Sequence, residues 1–177
     1  MNRKLIIVEG PDRTGKTTLA KHLASKFNMF YVKLTAGGPL NSAMPEYHTV
    51  TLDFIQWNIE QRAQGVVLDR CWLSEMIYAG LLRPEDAKRF PYKQHEERIA
   101  LMGGLYLVCD SRTCVERHEK LKDPGHPYTQ DQFHLIVEAY REFMSTKPVD
   151  VLHWMGVDMD KYIHDLDRFS NLLVDFP

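Results

Sequence analysis

Gly10-Pro11-Asp12-Arg13-Thr14-Gly15-Lys16-Thr17 sets a lysine and a hydroxyl directly after the second of two spaced glycines. This is the G-x-x-x-x-G-K-[ST] spacing of a phosphate-binding loop. The glycines let the backbone curl so that its N–H groups aim inward, and the amino end of the following helix adds to the anion cradle. Lys16 is expected to reach the β- and γ-phosphates of a triphosphate, and Thr17 to offer its hydroxyl to Mg²⁺. Thr18 is placed for the α-phosphate, and Gly10, Asp12, Thr14 and Gly15 complete the nucleotide-binding set. Arg13 lies either against the transferring phosphate or in solvent. A plain glycine turn carrying a surface lysine would leave the rest of the pattern to coincidence.

A second chemical pair, Asp69-Arg70, follows the apolar run Val66-Val67-Leu68. At the end of a strand beside the first one, Asp69 is placed to hold Mg²⁺, directly or through water. Arg70 is suited to grip a phosphate with two parallel hydrogen bonds. The plainer alternative is a strand-end ion pair or cap.

These groups need elements to position them. Continuous apolar runs predict buried parallel strands at 4–8, 29–34, 66–68, 105–109 and 149–152. Helical spacing predicts helices over 15–27, 49–63, 73–82, 91–102, 113–120, 129–144 and 159–169. In the second of these, Leu52, Phe54, Ile55, Ile59 and Ala63 form the expected buried stripe. Residues 35–47 and 123–127 are rich in Gly and Pro and read as loops. Repeated strand–helix alternation implies a three-layer α/β fold: a parallel, five-stranded sheet flanked by helices. Ligands then bind beyond the carboxyl ends of the strands, where 9–17, 69–70 and Asp110 fall.

The 177 residues fit a single domain, 1–177. A formal net charge of −2 gives no global basic signature for nucleic acid. Cys71, Cys109 and Cys114 are odd in number and lack metal-ligand spacing, which points to a reducing, cytoplasmic setting. No apolar stretch reaches the length of a membrane span, and no signal peptide is expected. The histidines fit no zinc pattern.

The segments 7–18 and 66–74, with Tyr78 following, resemble the opening and the aspartate-arginine-tyrosine segment of the thymidylate kinase and deoxynucleoside kinase superfamily. The resemblance implies a P-loop kinase using ATP and Mg²⁺, with Arg70 on the acceptor monophosphate and Asp69 beside the magnesium. It also implies a lid around 112–128, for which Arg117 is the best cation, with Lys120 and Lys122 behind it. The compact chain is similar to bacteriophage kinases that remodel nucleotide pools.

Three departures from that pattern bear on the acceptor. The acidic element expected after the second strand is replaced by Leu34-Thr35-Ala36-Gly37-Gly38-Pro39, which has no carboxylate. A monophosphate acceptor needs no strong base because its oxygen is already anionic, whereas a hydroxyl acceptor usually needs one. The stretch before Asp69 is shorter than in thymidylate kinases, and the lid is poor in arginine. Phe54, Trp57, Gln61, Trp72 and Tyr78 are the candidates to contain a base, although core packing accounts for Phe54 and Trp57 equally well. The leading reading is ATP-dependent phosphorylation of a deoxynucleoside monophosphate to the diphosphate. The runner-up is a kinase for a hydroxyl, on a nucleoside or on a 5-hydroxymethyluracil base in phage DNA, with Asp69, Glu9 or Asp12 as base. A P-loop ATPase that binds nucleic acid or a regulatory partner ranks last. No membrane partner is expected, and the helix over 49–63 could serve a homodimer or face the sheet.

Overall fold

The computed structural model describes residues 4–34, 44–62, 64–121, 128–146 and 153–174. In chain order these form β1 (Leu5–Glu9), α1 (Lys16–Lys26), β2 (Phe30–Lys33), α2 (Met44–Gln61), β3 (Val66–Asp69), α3 (Trp72–Leu82) and α4 (Pro84–Ala87). Then follow α5 (Tyr92–Leu101), β4 (Leu105–Asp110), α6 (Cys114–Leu121), α7 (Gln130–Thr146), β5 (His153–Asp158), α8 (Met159–Tyr162) and α9 (Leu166–Val174). The strands form one five-stranded sheet in the order β2-β3-β1-β4-β5. Every pairing is parallel, with Ile6 beside Val67 on one side and Leu105 on the other.

The sheet has two buried faces because successive residues of a strand point to opposite sides. Leu5 and Ile7 pack with Leu52, Ile55, Leu73, Phe133 and Tyr140. Ile6 and Val8 pack with Leu19, Leu23, Leu107, Phe169 and Leu173. Helices therefore cover both faces, which is why β1 is buried at every position and apolar from Leu5 to Val8 rather than alternating. The three-layer parallel architecture expected from the strand–helix alternation is the one observed.

Three local expectations need correction. Phe54 is 48% exposed, so the buried stripe of α2 is His48, Leu52, Ile55, Asn58 and Ile59 instead. A strand is described at 153–158; the expected strand at 149–152 and Ala63 lie outside the described residues. As an edge strand it keeps Trp154 half-buried and Gly156 exposed, so it lacks the continuous apolar run of an inner strand. The predicted helix over 159–169 is two helices, broken after Tyr162, with Asp165 accepting from the Arg168 amide ahead of the second. The helix α2 begins at Met44, inside the stretch read as loop. Most of the Gly/Pro loops, 35–43 and 122–127, lie outside the described residues.

Candidate active site

The chain leaves β1 through Glu9 and enters the loop at Gly10, whose φ of 135° is open to glycine. A side chain there would also strike the carbonyl of Cys109 on β4. Gly15, at φ 96°, ends the loop, and α1 begins at Lys16. A helix starting there leaves its first amides without helical partners, pointing into the loop. Asp12, Arg13, Gly15, Lys16, Thr17 and Thr18 line an open cleft of about 380 Å³. Thr14 is turned inward, its hydroxyl donating to the Pro11 carbonyl at 2.9 Å as a brace for the loop.

Lys16 is buried, and its ammonium donates to the Pro11 carbonyl at 2.8 Å and lies 3.5 Å from Asp12. Burial, with Arg70 nearby, lowers its pKa to about 8, against the opposing pull of Asp12. Thr17 donates its hydroxyl to Asp69 Oδ2 at 2.7 Å, joining the loop to the end of β3. The other oxygen, Asp69 Oδ1, is buried and has no hydrogen-bond partner among the described residues. A hydroxyl and a carboxylate with an unmatched buried oxygen are a hard-oxygen donor set that fits Mg²⁺.

Arg70 has φ 74°, an uncommon conformation for a side-chain-bearing residue and one often found at functional sites. That turn carries its guanidinium toward the loop. It pairs with Asp12 through Nη2 and donates to Ser74 Oγ through Nη1 at 3.0 Å. It also lies over the Tyr78 ring, 5.2 Å from the centroid. Burial by itself lowers the Arg70 pKa, but the facing Tyr78, Asp12, Tyr140 and Glu9 outweigh it and hold the group charged. One carboxylate, Asp12, therefore stands between the loop ammonium and the guanidinium. Tyr128 donates to its second oxygen.

Glu9 has no exposed surface. Its Oε1 accepts from the amides of Cys71 and Ser74 at 2.6 and 3.2 Å. Its Oε2 accepts from Ser74 Oγ at 2.5 Å and from the Tyr140 hydroxyl at 3.1 Å. Those amides belong to the start of α3, so Glu9 serves as a helix cap supplied from a distant strand. A carboxylate committed to four donors is a poor general base.

Arg117, on α6, donates to the Arg13 carbonyl at 3.1 Å and lies 3.5 Å from Asp160. Asp160 also accepts from Ser111 Oγ, the Arg112 amide and Thr113 Oγ1, gathering the residues that lead into α6. Arg13 itself is exposed at φ 65°. Lys122 and the remainder of the expected lid before Tyr128 fall outside the described residues.

The five base-pocket candidates separate. Tyr78 is brought to Arg70. Phe54, Trp57 and Gln61 face solvent on α2, with Trp57 under the Arg62 guanidinium at 5.0 Å. Trp72 is only 4% exposed and packs against Tyr92 and Tyr106 in the core. Arg83 is paired with buried Glu75 at 2.9 Å. Sequence reading missed Tyr31, Tyr128 and Tyr140, each of which reaches a site carboxylate from a distant part of the chain. No His/Cys/Asp/Glu cluster of the kind that holds a metal unaided occurs among the described residues. None of their helices is long and apolar enough to cross a membrane.

No protein-family model matches the chain, and no curated protein matches it. Solved structures do. The YorR protein of Bacillus subtilis, in complex with phosphorylated GDP, is 22% identical with a TM-score of 0.69, over 96% of this chain and 93% of that one. Deoxyadenosine kinase from M. mycoides with bound dATP is 14% identical with a TM-score of 0.61, over 97% and 100%. Thymidylate kinase from Candida albicans is 18% identical with a TM-score of 0.52, over 96% and 92%. At these identities the likeness is one of fold: the chain has a P-loop kinase-like fold over nearly its whole length.

Proposed function

We propose that the protein transfers the γ-phosphoryl group of ATP to the phosphate of a deoxynucleoside monophosphate. The observation that carries this reading is the placement of Lys16 and Arg70 on either side of Asp12. Two cations so close suit two phosphates that must meet, one from the donor and one from the acceptor. Lys16, the loop amides and Thr18 hold the donor, and Arg70 orients the acceptor in place of its present contact with Asp12. The acceptor oxygen forms the new P–O bond, the bond from the γ-phosphorus to the bridging oxygen breaks, and ADP leaves. Mg²⁺, held by Thr17 and Asp69, would neutralise charge on the donor phosphates. Arg117, anchored to the loop at Arg13, adds positive charge on the far side.

The state of the carboxylates favours a phosphate over a hydroxyl acceptor. Glu9 is saturated with donors and Asp12 is held by Arg70 and Tyr128. Asp69 is the remaining base for a hydroxyl, and the metal competes for it. Tyr78, beneath Arg70, is the base-pocket candidate best placed to border the acceptor.

The test is transfer of label from γ-labelled ATP with Mg²⁺ to each dNMP, each nucleoside, and plain or hydroxymethyluracil-containing DNA. Label moving to one or more monophosphates, and falling at least about a hundredfold in Arg70→Ala, is expected. Label moving only to a nucleoside or to DNA would replace this reading with a hydroxyl kinase. Release of inorganic phosphate regardless of acceptor would indicate an ATPase.

A further inference from the structure

Asp69 Oδ2 accepts two hydrogen bonds, from Thr17 Oγ1 at 2.7 Å and from the Tyr31 hydroxyl at 2.8 Å. Tyr31 belongs to neither motif. It sits on β2, an edge strand, directly beside Val67 of β3. Val67 and Asp69 share the face of the sheet that α1 covers, because they are two residues apart. Asp69 is therefore the diagonal neighbour of Tyr31, a separation that an aromatic side chain spans. The ring packs with the core of that face, and Lys21, one turn beyond Thr17 on α1, stands 5.7 Å from its centroid. Strand register below and α1 above thus hold the hydroxyl.

We infer that Tyr31 is a positioning residue for the metal: it pins one carboxylate oxygen of Asp69 so that the unpartnered oxygen, Oδ1, is presented to Mg²⁺. Thr17 cannot do this alone, because its own oxygen is wanted by the same ion. Tyr31 has no such second duty. Partners that orient a ligating carboxylate commonly change metal affinity about ten- to a hundredfold when removed. The inference rests on the Mg²⁺-nucleotide reading above, and the experiment separates the two.

ATP affinity is measured by calorimetry in EDTA and across a Mg²⁺ series, for the unaltered protein and for Tyr31→Phe, which keeps the ring and removes the hydroxyl. Mn²⁺ binding followed by electron paramagnetic resonance gives a second readout that needs no turnover. Tyr31→Phe is expected to need about tenfold more Mg²⁺ for the same gain in ATP affinity, with affinity in EDTA within about twofold of the unaltered protein. In an Asp69→Asn background the same change is expected to do nothing further. An unchanged metal requirement would overturn the inference and leave the kinase reading standing. An equal loss with and without metal would also overturn it, since Tyr31 would then support the loop and not the ion. ATP binding by the unaltered protein that ignores Mg²⁺ would overturn the metal site itself. Should Tyr31→Phe melt early, the Mn²⁺ comparison of Asp69→Asn with and without Tyr31→Phe still decides, because a positioning role requires the two losses to be non-additive.

Discussion

If the loop holds a triphosphate as proposed, Lys16 makes that affinity a function of pH. Its pKa in the free protein is lowered to about 8, and a bound triphosphate would favour the ammonium and raise it again. The charge is in place below pH 8 and lost above it, so the contribution of Lys16 to ATP affinity is expected to be full below pH 7 and to fall by up to about tenfold per unit above 8. Calorimetry at pH 8.5 in buffers of differing ionisation enthalpy should show net proton uptake on binding. Glu9 supports a different expectation. Glu9→Ala leaves the Cys71 and Ser74 amides without their side-chain acceptor, at a cost of about 3 kcal/mol, read as an earlier denaturation midpoint. If Glu9 were instead a general base, the same variant would lose turnover and keep its midpoint. The loop at 10–17 and the Asp69-Arg70 turn that meets it were legible as a pattern because each consists of adjacent residues. Tyr31, Tyr128 and Tyr140 were not, because each gains its role only when a remote element folds against the site.

At the scale of elements, α2 shows what apolar spacing can and cannot say. Leu52, Phe54 and Ile55 are all apolar, yet the helix turns Phe54 outward while Leu52 and Ile55 meet the sheet. Leu52→Ala is expected to cost about 2–5 kcal/mol, whereas Phe54→Ser should cost less than about 1. Parallel denaturation curves with equal slopes would check this pair, and a Phe54→Ser loss as large as that of Leu52→Ala would contradict the exposed face. The strand at 153–158 was not read from the sequence because an edge strand with one exposed glycine lacks the apolar continuity that marks an inner one. The inner strands β1 and β4 were plain for the opposite reason, every residue from Leu5 to Glu9 and from Leu105 to Cys109 being buried. Strand ends mattered most: β1, β3 and β4 were bounded closely enough to bring Glu9, Asp69 and Asp110 to one edge of the sheet.

At the scale of the whole molecule, the parallel arrangement explains why the candidate site gathers at one end of the sheet. Every strand points the same way, so β1 and β3 deliver Gly10 and Arg70 together, and the crossovers return on the helical faces. Tightness at the junction makes a sharp expectation. Gly10→Ala needs both a backbone conformation that alanine resists and space already taken by the Cys109 carbonyl. It should abolish ATP binding in whatever folded protein is recovered, measured by calorimetry. The same junction has a consequence in time. The loop precedes its floor, β4, in the chain, and β1 pairs only with partners made much later, Leu5 with Val66 and Ile6 with Leu105. Contacts so distant along the chain form slowly and late. During synthesis the loop residues thus leave the ribosome before the strands that complete the candidate site around them. Nascent chains stalled before Leu105 should gain no protease protection from ATP, and those stalled well beyond Asp158 should.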